Sequence, residues 1–182
     1  MSRLAAVLIG GPPATGKSTL ALALAPRLEA ALLDLDTATG PLTRVVSELA
    51  GPRDLDDPVL AGLTRDARYD TLLALAEDNL TAGRPVVLVA PFSAERARPD
   101  AWAATTRRIP APATMVWLHL PPEELIRRLM QRGLARDENK IRDPASYLTG
   151  LDLEPPAIPH LALDARQPIG ALVSSVLSHL SA

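Results

Sequence analysis

The residues with the most specific chemistry are Gly11, Pro12, Pro13, Ala14, Thr15, Gly16, Lys17 and Ser18. Their sequence, GPPATGKS, satisfies G-x-x-x-x-G-K-[ST] in full. Glycines in this pattern let backbone N–H groups turn inward around phosphate oxygens, and a helix starting behind them adds the partial positive charge of its amino end. Lys17 then suits the β and γ phosphates of a nucleotide, and Ser18 suits a Mg²⁺ ion. Thr19 is a second hydroxyl, placed either to share the metal shell or to pack in the first helical turn.

A second acidic element follows in DLDTATG, residues 34 to 40. In a parallel sheet the carboxyl ends of the strands open on one crevice, so a strand ending here would place Asp34 and Asp36 beside the phosphate loop. If the strand continues to Asp36, both carboxylates share a face. They can then divide labour, Asp34 supporting the metal and Asp36 accepting a proton from an alcohol. The alternative for Asp36 is an amino-terminal cap on the helix that follows.

The elements that must position these groups are legible in the hydrophobic pattern. Leu4 to Ile9 is a continuous apolar run of strand length, as expected of a strand buried on both faces. KSTLALALAPRLEA, with leucines at 20, 24 and 28, predicts a helix with one apolar face. AALLDLD, RPVVLVAPF, ATMVWLHL and HLALDA read as further strands. Helices are expected from about 58 to 81, 94 to 106, 121 to 132 and 169 to 180, with a shorter one ahead of the turn-rich GPRDLDDP. This alternation predicts an α/β fold, a parallel sheet with helices on both faces. The charged, proline-containing segment from about 133 to 156 is the expected lid.

Composition narrows the function classes. The length of 182 residues fits one domain, 1–182, and 47% apolar with 22% charged residues fits an ordinary globular protein. A net charge of −2 offers no overall field for a nucleic-acid backbone. The absence of cysteine excludes disulfides, thiolate catalysis and cysteine-bound zinc. No apolar run reaches the roughly 18 residues of a membrane helix, and the short apolar amino end leads into the phosphate loop, so a cytoplasmic protein is expected.

The chain resembles the P-loop small-molecule kinases related to shikimate kinase, gluconate kinase and chloramphenicol phosphotransferase. It is closer still to bacterial proteins known only as AAA family ATP-binding proteins. The resemblance spans nearly the whole chain and is carried by GGPPATGKSTLA, DLDT, ARYDTLLALAEDNL, VVLVAPF and RLMQRGLARDENK. It implies a P-loop NTPase three-layer sandwich with strand order 2-3-1-4-5 and an Arg-bearing lid, and ATP with Mg²⁺ as cofactors. Asp34 and Asp36 match the Asp-x-Asp that supports the metal and binds the acceptor hydroxyl. RLMQR matches an R-x-x-x-R in which Arg128 stacks on adenine and Arg132 clamps phosphate, with Arg136 closing from the lid. The same arginines also fit a solvated basic helix face. One departure is that VLVAPFS has no carboxylate before Glu95, where mechanical ATPases place an acidic metal ligand.

The expected function is therefore transfer of the γ-phosphate of ATP to a hydroxyl of a small molecule. The acceptor would lie among Asp36, Arg44, Arg65, Arg68 and Tyr69. Neither a nucleic-acid nor a membrane partner is expected, and the protein would be a monomer or homodimer. The alternative from another class is a nucleotide-binding regulatory ATPase without a small acceptor, which predicts a cleft filled by side chains.

Overall fold

A computed structural model describes residues 4–51, 58–133, 142–151 and 153–182. Its centre is a five-stranded parallel sheet in the order β2-β3-β1-β4-β5. The strands are β1 (Ala6–Gly10), β2 (Ala31–Asp34), β3 (Val86–Val89), β4 (Ala113–His119) and β5 (Leu161–Asp164). Register places Leu8 of β1 between Leu88 of β3 and Met115 of β4.

Because successive strand residues face opposite sides, each β1 position belongs to one of two cores. Val7 and Ile9 pack with Leu20 and Leu24 of α1 (Lys17–Leu24), and this layer continues to Leu125 and Val176. Those two residues lie on α6 (Pro122–Arg132) and α8 (Ile169–Ser181). Ala6 and Leu8 face the other way, onto Leu72, Leu73 and Ala76 of α3 (Pro58–Thr81). Helices on both faces of a parallel sheet make the three-layer P-loop sandwich.

Local chemistry moves several boundaries. The helix expected over 17–30 gives way at Ala25–Leu28 to a 3₁₀ turn, with Pro26 near its start. The segment expected as one helix over 94–106 is two, α4 (Ser93–Ala97) and α5 (Pro99–Arg108). Arg98 between them is extended, as the residue before a proline prefers. β2 stops at Asp34, and α2 (Leu35–Leu49) begins at once. The expectation that Asp34 and Asp36 share a strand face is therefore corrected, because Asp36 lies in a helix. Within the described part of the 133–156 segment, α7 (Pro144–Gly150) is capped by the Asp143 side chain.

Candidate functional site

The phosphate loop connects β1 to α1, and its shape is dictated by backbone. Gly11 has φ 144°, and a Cβ there would stand 2.5 Å from the Leu118 carbonyl oxygen of β4. Only glycine lets the loop leave the sheet so close to the neighbouring strand. Ala14 and Gly16 are also left-handed, at φ 61° and 89°. Thr15 is buried and donates its hydroxyl to the Pro12 carbonyl at 2.8 Å. The Lys17 ammonium folds back over the loop, donating to the carbonyls of Gly11 and Pro12 at 2.8 Å each. Among the described residues no side chain caps α1, and the first N–H groups of such a helix end are suited to an anion.

β2 delivers Asp34 beside this loop. The Ser18 hydroxyl donates to Asp34 Oδ2 at 2.8 Å, while Asp34 Oδ1 accepts the backbone N–H groups of Asp36 and Thr37 at 3.0 and 3.2 Å. The cap of α2 is thus Asp34, two residues before the Asp36 cap weighed from sequence. Ser18 and Asp34 form an all-oxygen donor pair of the kind a hard divalent cation takes together with phosphate and water oxygens. Among the described residues no group of three or more His, Cys, Asp or Glu gathers.

Asp36 projects from the first turn of α2 and pairs with Arg68 of α3, Nη2 to Oδ1 at 2.6 Å. Arg68 Nε also donates to Thr39 Oγ1 at 2.9 Å, tying α3 to α2. One turn earlier on α3, the Arg65 guanidinium lies 4.5 Å from the centre of the Tyr69 ring. Its Nη2 stands 3.6 Å from Oε2 of the buried Glu95 on α4. Tyr69 is buried edge-to-face on Phe92, and its hydroxyl accepts the Phe92 N–H at 3.0 Å. Burial, reinforced by the negative charge of Glu95, pushes the Tyr69 hydroxyl well above the ordinary tyrosine value and keeps it protonated.

These elements enclose a cavity of about 670 Å³. Pro13, Ala14, Gly16, Lys17, Ser18 and Thr19 of the phosphate loop line it, whereas Gly11, Pro12 and Thr15 are not among the lining residues. Asp34, next to Ser18, also lines it, together with Asp36, Arg65, Arg68 and Tyr69 of α2 and α3 and with Arg128 and Arg132 of α6. Arg44 is exposed on α2 and is not among the lining residues. Arg136 lies outside the described residues. Gly133, left-handed at φ 58°, ends α6, so Arg128 and Arg132 belong to a helix that stops before Arg136.

Arg128 is braced by Glu124, Nε to Oε1 at 3.0 Å, and donates Nη2 to the Ala165 carbonyl at 2.9 Å just beyond β5. Hydrogen bonds from Arg127, then from Arg128, hold Glu124 down at about 2. Two contributors were not assigned to the site from the sequence. Ser93, which lines the cavity, and Glu95, which sits under Arg65, both open α4 beyond β3. Their position just past the carboxyl end of a central strand was the available signal.

Solved structures of similar fold cover nearly the whole chain. A candidate kinase from Chloroflexus aurantiacus J-10-fl superposes with a TM-score of 0.69 at 20% identity, covering 98% of this chain and 99% of that one. An APS kinase from Mycobacterium tuberculosis, in complex with AMPPNP and APS, gives 0.67 at 18% identity, covering 100% of both chains. A gluconokinase from Sinorhizobium meliloti 1021 gives 0.62 at 19% identity, covering 98% of this chain and 93% of that one. No curated protein sequence matches. The shared fold is that of P-loop small-molecule kinases. With the AAA domain model matching residues 7–147, the chain belongs to the AAA domain family of P-loop proteins.

Proposed function

We propose that this protein, as a single domain, transfers the γ-phosphate of ATP to a hydroxyl of a small molecule. The observation that carries the reading is that one cavity is lined both by Lys17 and Ser18 of the phosphate loop and by Asp36, Arg65, Arg68 and Tyr69. A nucleotide phosphate and a second molecule then fit the same enclosure, which is what in-line transfer requires. The regulatory ATPase alternative expects the cleft at β2 to be filled by side chains, whereas the cavity reaches past the phosphate loop to Asp36, Arg68 and Tyr69.

In this reading Lys17 leaves the loop carbonyls for the β and γ phosphate oxygens, exchanging two neutral acceptors for charged ones. Ser18 and Asp34 would hold Mg²⁺, which when bound would supply neutralisation of the phosphate charge. Asp36 accepts the acceptor's hydroxyl proton, and Arg68 keeps that carboxylate turned toward the cleft. Arg132 neutralises the phosphoryl group from the rim, and Arg128 presents its guanidinium face to the base.

Asp36→Asn retains the shape of the site and removes the proton acceptor, so transfer should fall by about 100-fold or more while ATP affinity stays near wild type. The measurement pairs calorimetric nucleotide binding with phosphate transfer to a panel of sugars, nucleosides, amino acids and hydroxylated antibiotics. Full transfer by the variant to an identified acceptor would remove Asp36 from the mechanism.

A further inference from the structure

α2 is built inside out. A surface helix buries its apolar stripe and exposes its polar one, yet beyond its buried first residue, Leu35, α2 buries Thr39, Gly40, Thr43 and Ser47 and exposes Leu42, Val45, Val46 and Leu49. The buried threonines spend their hydroxyls on their own helix, Thr39 on the Leu35 carbonyl and Thr43 on the Thr39 carbonyl. Leu42 is 73% exposed and Leu49 84%. The spacing 42, 45, 46, 49 makes one seam along two turns. Val59 and Leu63, also exposed, open α3, the helix on which α2 packs. The other exposed large apolar residues, Leu22, Leu75, Met130 and Ile169, stand singly on different elements.

The six side chains present on the order of 600 Å² of apolar surface, at the top of the range for a monomer's largest patch and near the ~800 Å² per partner of a stable interface. The stretches outside the described residues are poor covers, since 52–57 reads PRDLDD and 134–141 reads LARDENKI, both short and charged. An apolar seam without charge at its centre needs an equally apolar partner, and a second copy brings that surface in matching shape.

We infer that the outward stripe of α2, flanked by the start of α3, is the interface of a two-fold homodimer. Antiparallel pairing about Val45 and Val46 sets Leu42 of one copy against Leu49 of the other. The inference stands apart from the phosphotransfer reading, because it rests on α2's outer face and not on the cleft.

The absence of cysteine gives a clean test. The purified chain should sediment as a dimer, and Leu42→Asp with Leu49→Asp should weaken association by at least about tenfold with the circular dichroism spectrum unchanged. Val45→Cys, placed at the two-fold axis, should cross-link to a covalent dimer under mild oxidation, whereas Leu22→Cys on α1, equally exposed, should not. A monomer at the highest soluble concentration, or a dimer that cross-links through Leu22→Cys and not through Val45→Cys, would overturn the inference. Should the double variant misfold, the two cysteine variants decide alone.

Discussion

The two walls of the cleft are built by different means. On the phosphate side, hydrogen bonds span three to six residues, as from Thr15 to Pro12 and from Lys17 to Gly11, and the shape follows from where glycine sits. On the side proposed to hold the acceptor, contacts reach across 23 to 32 residues, from Phe92 to Tyr69 and from Arg68 to Asp36, and side chains from α2, α3 and α4 decide the shape. A wall coded by short-range backbone chemistry can be read from a motif and tolerates little change. A wall coded by long-range side-chain packing can be retuned for a different acceptor while the sheet stays the same.

The largest expected effect breaks the first wall. Gly11→Ala would place a Cβ 2.5 Å from the Leu118 carbonyl oxygen in a left-handed conformation, so neither the loop nor β4 can stay where it is. A loss of about 3 kcal/mol or more in urea unfolding is expected, with nucleotide binding lost alongside. Near-native stability would mean that the loop is not held by this close approach.

An intermediate effect isolates the second wall. Tyr69→Phe keeps the packing on Phe92 and deletes the acceptor of a buried N–H, which costs about 1–3 kcal/mol. Acceptor turnover should fall and calorimetric ATP affinity should not. Equal damage to both would show that the walls are coupled.

The smallest effect concerns the rim. Glu124 and Asp164 are held at about 2, below their ordinary 4.5 and 3.8, by Arg127 with Arg128 and by Arg166 respectively. Their depressed values mean that the stabilisation is complete above the ordinary carboxylate range and is lost as pH falls through about 2. Carboxyl NMR titration should give midpoints near 2 for both. In an Arg128→Ala variant the Glu124 midpoint should rise only modestly, because Arg127 contributes more.

Much of the fold was legible because β1 and β3 are unbroken apolar runs and β4 holds one from Met115 to Leu118, the pattern of parallel strands buried on both faces. The phosphate loop was legible because its function needs glycine at fixed spacing. The end of β2 was not. DLD alternates like a strand, and only the hydrogen bonds that Asp34 makes to Ser18 and to the start of α2 turn the chain into a helix there. Glu95 was noticed in the sequence as the first carboxylate after β3, but its place beneath Arg65 depends on how α4 docks on α3.

The sequence by itself determined the sheet, the phosphate loop and the presence of two acidic residues beside it, because hydrophobic run length and glycine spacing act locally. Tertiary structure decided which aspartate caps and which pairs, which arginines face the cleft, and that α2 turns its apolar side to solvent. Those outcomes depend on which helix packs against which, and burial is set by neighbours distant in the chain.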